Sequence, residues 1–167
     1  NLRRFSEGVQ MESAMLDIRD RRILEELQED ATVAVADLAD TVGLSVSACW
    51  RRIKALEDAG FITRRVALID RRKSNVPMTV FVAIRTSRHS MEWLDSFRKV
   101  IAEIPEIVEA YRLTGDMDYL LRLVVPNVDV YDAVYKKMIS RLDFTDITSS
   151  ISMEELKFTT SIPLKYT

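Results

Sequence analysis

The sequence predicts an α+β chain in two parts, a helix-turn-helix unit of winged-helix-like type followed by a ferredoxin-like βαββαβ unit. Three observations carry this. Apolar residues recur at helical spacing as far as Ala59, alternation takes over after Pro77, and the polar run DRRKSNVP separates the two patterns. The expected boundaries are a flexible arm over 1–15, a helix-turn-helix over 16–62, a linking strand and loop over 63–77, and the βαββαβ unit over 78–167.

From Asp17 to Gln28, Ile23, Leu24 and Leu27 share one helical face, and Asp17 and Asp20 supply an N-cap and a first-turn acid. A second helix spans about Val35 to Val42 and stops at Gly43, a residue suited to the left-handed C-cap position. Its own cap is weak, because Ala34 stands where a hydroxyl or carboxylate would serve better. Ser45 caps a third helix, which runs to about Ala59 and closes at Gly60. At about 100° per residue, Val46, Cys49, Trp50, Ile53 and Leu56 gather on its core side, opposite Ser47, Ala48, Arg51 and Ala55. Cys49 and Trp50 are read as packing residues. The run Ile62 to Ile69 has a strand-like pattern, in which Arg64 and Arg65 are either phosphate contacts or a solvent face.

Beyond the linker, Thr79 to Thr86 predicts a strand, Ser90 to Glu103 a helix with Trp93, Leu94, Phe97 and Ile101 inward, and Ile107 to Thr114 a second strand. Gly115 to Asp118 makes a turn, Tyr119 to Val125 a third strand, Val128 to Ser140 a helix, and Thr145 to Phe158 a long fourth strand. In a split βαβ sandwich both helices cover one sheet face. The other face carries Phe81, Ala83, Tyr111 and Leu113 or their alternating neighbours, and such a surface calls for a partner. Self-association into a homodimer is the simplest solution, and it supplies two reading helices for a palindromic site.

Composition narrows the function. The chain has 167 residues, 24 basic and 26 acidic, and no apolar run approaching the roughly 18 residues of a membrane span. Residues 1–15 show no secretory-signal pattern, and one cysteine with one histidine, Cys49 and His89, allows no internal disulfide and no Cys/His metal cluster. A reducing, cytoplasmic setting is expected, with no membrane partner and no cofactor. The net charge of −2 conceals a dipole: Asp17 to Leu44 has eight acids against three bases, and Ser45 to Lys73 has eight bases against three acids. Over a Debye length of roughly 8 Å, a polyanion feels the local patch and not the average. Small polar residues with an arginine on the exposed side of the third helix suit the major groove, where Arg51 or Arg52 can reach guanine or phosphate.

The loop Thr114-Gly115-Asp116-Met117-Asp118-Tyr119 leaves three readings open: a divalent metal, a carboxylate pair for an ammonium group, or a tight hairpin. Ser149, Ser150 and Ser152 add hydroxyls that could complete an amino-acid pocket. An enzyme subunit using Asp116 and Asp118 is a competing class, but no catalytic constellation accompanies them. A modulator that pairs with related regulators without a DNA target of its own is a third.

The segments LDIRDRRILEELQED, ADLADTVGLSVSACWRRIKALEDAGFI, RLTGDMDYLLRLVVP and MEELKFTTSIPL, in this order and spacing, resemble the Lrp/AsnC family of leucine-responsive or feast/famine transcriptional regulators. The resemblance covers Leu16 to about Tyr166. It implies a non-enzymatic, DNA-binding transcriptional regulator that binds an operator, dimerises through the βαββαβ unit, builds octamers and responds to a small L-amino acid. By position it implies Ser45, Ser47, Ala48, Arg51 and Arg52, with Lys54 beside them, at the DNA. It implies Thr114, Gly115, Asp116, Asp118, Tyr119, Ser149 and Ser150 around the effector. The stretches SACWRRIKALED and TSRHSMEW and the TTSIPL ending are similar to a subgroup with cysteine-responsive members, which makes cysteine the first effector to expect. Met117, where relatives carry a bulkier residue, and Ala34 depart from the pattern.

Overall fold

The computed structural model describes residues 16–88 and 90–167; the arm expected over 1–15 and His89 lie outside them. The described residues divide into two compact units, 16–67 with 158–167, and 68–157.

Helix α1 (Ile18–Glu29) begins at Asp17, whose Oδ1 accepts from the amides of Arg19 and Asp20 at 2.9 and 2.8 Å. Two of the helix's free N–H groups are thereby satisfied. Helix α2 (Val35–Val42) starts at Ala34 with no side-chain cap, as the sequence predicts. It ends at Gly43, φ 67°, where the amide of Leu44 reaches back to the Ala39 carbonyl at 2.8 Å. This left-handed stop turns the chain directly into Ser45, whose Oγ accepts from Ala48 N and opens helix α3 (Val46–Asp58). Ile23, Leu24, Leu38, Ala39, Val42, Cys49, Ile53 and Leu56 form the core between the three helices.

Leu164 joins this core from the far end of the chain. Beside it, the Gln28 side chain clamps the backbone of Ile162, donating to its carbonyl at 3.2 Å and accepting from its amide at 2.7 Å. Arg21 donates to the Thr167 carbonyl. The last ten residues therefore group with the helices, whereas the sequence reading placed all of 78–167 in the βαββαβ unit.

The second unit has strand order β2-β3-β1-β4, all neighbours antiparallel: β1 (Met78–Arg85), β2 (Ile107–Arg112), β3 (Tyr119–Val125) and β4 (Asp146–Ile151). Helix α4 (Met91–Ala102) follows β1 and is capped by Ser90; helix α5 (Val128–Ile139) follows β3 and is capped by Asn127. Val80, Val82 and Ile84 of β1 alternate inward beside Tyr119, Leu121, Leu123 and Val125 of β3. Trp93, Phe97 and Val100 of α4 and Val134 and Met138 of α5 complete that core.

Two strand expectations are corrected. The run Ile62 to Ile69 is not a strand: residues 63–70 have no sheet partner, and Val66, Leu68 and Ile69 are exposed. Alternation alone does not make a strand without a neighbour to take its backbone hydrogen bonds. The fourth strand is short, ending at Ile151 and not at Phe158. Its partner β1 runs out there: Ser152 N donates to Thr79 O at 2.9 Å, Met78 begins β1, and Pro77 before it has no N–H to offer.

The sheet face away from the helices carries Phe81, Tyr111 and Leu113, 38, 50 and 39 % exposed. Register places Phe81 between Arg122 and Ser150, and Tyr111 opposite Leu120. On the same face Arg122 pairs with Glu109 at 2.5 Å, and Tyr111 donates to that carboxylate at 3.0 Å. The Arg122 guanidinium holds the Glu109 carboxyl below its usual range, while the carboxylate raises the Tyr111 phenol.

Candidate functional site

Helix α3 buries Cys49, Ile53 and Leu56 and turns the rest of its surface outward. Ser45, Ser47, Arg51, Lys54 and Ala55 are exposed, and Ala48 is half-buried, on the side expected from the sequence. Cys49 is fully buried, and desolvation pushes its thiol above the ordinary value, as befits a packing residue. Val46 and Trp50 depart from the reading: they are 51 and 57 % exposed. The buried stripe is narrow, and at about 100° per residue Trp50 falls roughly a quarter-turn from its middle.

The basic residues have unequal surroundings. Arg52 is engaged within the protein, its Nη1 lying 2.6 Å from Asp17 Oδ2 and 2.7 Å from Asp20 Oδ1. The Asp20 amide and then Arg52 hold the Asp17 carboxyl below the usual carboxylate range, and the two carboxylates raise the guanidinium in turn. One arginine thus ties the capped start of α1 to the middle of α3. Lys54 sits loosely between Glu57 and Asp58 at 3.5 and 3.7 Å, and Arg65 lies 3.3 Å from Glu57. Arg51 is exposed and forms no ion pair among the described residues. In the other unit Arg71 is occupied by Glu155, the Pro77 carbonyl and Thr79 Oγ1.

The loop between β2 and β3 is a braced hairpin. Gly115 has φ 113°, a conformation that favours glycine, and Thr114, Gly115 and Asp116 are exposed. The carboxylate of Asp118 is turned inward to accept from the Thr86 amide at 2.8 Å, and Arg85 Nε donates to the Asp116 carbonyl at 2.8 Å. Tyr119 is only 6 % exposed, its ring packed 4.6 Å from Phe97 and 5.5 Å from Trp93, so its ring belongs to the core. Ser149 and Ser150 point to opposite faces: Ser149 lies beside Val82 and hydrogen-bonds the Tyr131 hydroxyl of α5, while Ser150 lies beside Phe81 on the open face. Ser150 is four residues of β1 from Arg85, roughly 13 Å along the strand. Within one chain Ser150 therefore stands apart from the loop that Arg85 braces. Among the described residues no group of three or more His, Cys, Asp or Glu is placed to hold a metal, and no helix is long and apolar enough to cross a membrane.

Sequence reasoning missed Arg85 and Thr86, which brace the loop, and Tyr131, which meets Ser149. The aspartate-rich turn drew attention to its own carboxylates; their partners lie 31 and 32 residues away and carry no local signal.

Residues 16–63 match a winged helix-turn-helix DNA-binding model, and residues 79–162 match the Lrp/AsnC ligand binding domain. The chain is 50 % identical over 152 residues to the glutamate uptake regulatory protein of Zymomonas mobilis, covering 91 % of this chain and 93 % of that one. A crystal structure of an AsnC family transcriptional regulator from Agrobacterium tumefaciens superposes with a TM-score of 0.87 at 56 % identity, over 90 % of this chain and 99 % of the other. A transcriptional regulator from Neisseria meningitidis, solved as its complex with L-methionine, superposes with a TM-score of 0.86 at 32 % identity, over 90 and 98 %.

Proposed function

Because the chain belongs to the Lrp/AsnC family of DNA-binding transcriptional regulators and is not an enzyme, we propose that it reads a double-stranded operator through the exposed side of α3. Ser45, Ser47 and Ala48 allow close approach to base edges, Arg51 supplies the free guanidinium, and Lys54 adds a flanking charge. Arg52 holds the helix in place and does not itself touch DNA. The observation that carries this reading is the contrast between Arg51, exposed and unpaired among the described residues, and Arg52, held by two carboxylates.

The second unit takes a small L-amino acid that shifts operator affinity, the genes controlled serve amino-acid metabolism, and the protein works in the cytoplasm. The methionine complex of the neisserial relative supports an amino-acid effector. Cysteine is the first candidate. The exposed loop at Thr114, Gly115 and Asp116 is one wall of the site, with Asp118 shaping it from behind. Because Ser149 and Ser150 lie well along β4, a second copy supplies the remaining wall. The open sheet face supports a homodimer, and dimers assemble further into an octamer.

A thermal-shift screen of the twenty amino acids tests the effector reading. Ligand that binds only the native state stabilises it by mass action, by about 2.7 kcal/mol at a hundredfold excess over Kd, and so raises the melting midpoint. Cysteine or a close analogue is expected to raise it; no shift from any amino acid, after removal of co-purified ligand, contradicts the reading.

A further inference from the structure

Trp50 and Val46 are large apolar side chains left open to solvent on the helix proposed to read DNA. Their spacing of four residues puts them side by side, in the first half of α3, flanking Ser47 and Arg51. The two tryptophans of the chain differ sharply. Trp93 is buried, stacks on Phe97 at 5.2 Å, and donates its indole N–H to the Asp143 carbonyl at 3.3 Å. Trp50 is 57 % exposed and has neither a ring neighbour nor a hydrogen bond among the described residues. The core of its unit is already filled by Cys49, Ile53 and Leu56 from the same helix.

In the major groove the thymine C5-methyl is the apolar group on a base edge, and apolar side chains read it. The geometry points to Trp50, with Val46 beside it, as a specificity-determining surface that reads thymine methyl groups, next to the polar readout of Ser47 and Arg51. This rests on the proposal that α3 lies in the groove. It adds a base identity to that proposal: the operator carries thymine at one or more positions of each half-site where the methyl meets the indole.

The test uses the full chain and duplexes selected from a random library by the wild-type protein. Each thymine is replaced in turn by deoxyuridine, which removes only the methyl. Wild-type affinity is expected to fall about fourfold per methyl lost, the worth of one buried CH2-sized group. Trp50→Ala binds thymine duplexes more weakly and is indifferent to that replacement, whereas Trp50→Phe keeps part of the sensitivity. Equal sensitivity in wild type and Trp50→Ala, or none in either, overturns the inference. Acrylamide is expected to quench the emission lost in Trp50→Phe when DNA is absent and to lose access when DNA is bound. Emission already shielded in the free protein overturns it too, since another protein surface would then cover the ring. Arg51→Ala on the same duplexes separates the two levels. If it keeps full affinity, the placement of α3 fails; if it loses affinity while Trp50 shows no coupling to the methyl, only the thymine reading fails.

Discussion

The two units expose opposite kinds of surface. The helical unit closes its core with three helices and a returning tail, then presents a polar, cationic helix face with an apolar edge. The βαββαβ unit covers one sheet face with α4 and α5 and leaves Phe81, Tyr111 and Leu113 on the other. A polar face can wait in water for a polyanion, but an apolar sheet face loses free energy for as long as it stays wet, at about 25 cal/mol per Å². The difference supports the proposed tasks, a transient charged ligand for the helical unit and a second copy of the chain for the sheet.

The largest expected effect comes from the sheet. Phe81→Asp puts a charge in the centre of the open face, beside Ser150 and away from the helix-side core. It should convert the proposed dimer to monomer in analytical ultracentrifugation. Operator affinity should fall by about a hundredfold, because two linked reading helices gain avidity that one lacks. A dimer that survives this substitution would place self-association elsewhere.

Arg52→Ala is the next step down. Its two ion pairs are partly exposed, so the loss is about 1 kcal/mol or less, a fall of a few degrees in melting midpoint. The same strut confers a pH dependence. The Asp17 carboxyl lies below its ordinary range in the native state, so its contribution is present above the unfolded aspartate pKa and is lost as pH falls through the native one. Wild-type stability should decline below about pH 4, and Asp17→Asn should flatten that decline, seen as thermal midpoints across an acid series.

The smallest effect is a gain. Ala34→Ser gives α2 the side-chain cap it lacks and should stabilise the unit by about 0.5–1 kcal/mol in urea unfolding.

Local signals read well from the sequence. Asp17, Gly43, Ser45 and Ser90 act where their spacing says, because a cap depends on residues within one turn. Strand β3 spans Tyr119 to Val125 as predicted, since its alternation is set by a core on one side. What local patterns do not show depends on distant partners. The fourth strand stops where β1 stops, Leu164 crosses to the helical core, and Arg52 meets aspartates more than thirty positions earlier. In the candidate site, the exposed faces of α3 were legible from periodicity, but Trp50 was not, because hydrophobicity alone does not say how wide the buried stripe is. Asp118 and Tyr119 carry the right chemistry for a ligand, yet one braces the loop and the other fills the core.

The proposed reading divides labour between neighbouring arginines, Arg51 on DNA and Arg52 within the protein. The salt dependence of operator affinity tests it most directly, because the slope of log K against log salt counts phosphate neutralisation and is blind to struts. Arg51→Ala should lower affinity and reduce the slope by about one for each recognition helix engaged. Arg52→Ala should weaken binding modestly with the slope unchanged. A slope that falls for Arg52→Ala and stays constant for Arg51→Ala would contradict the account.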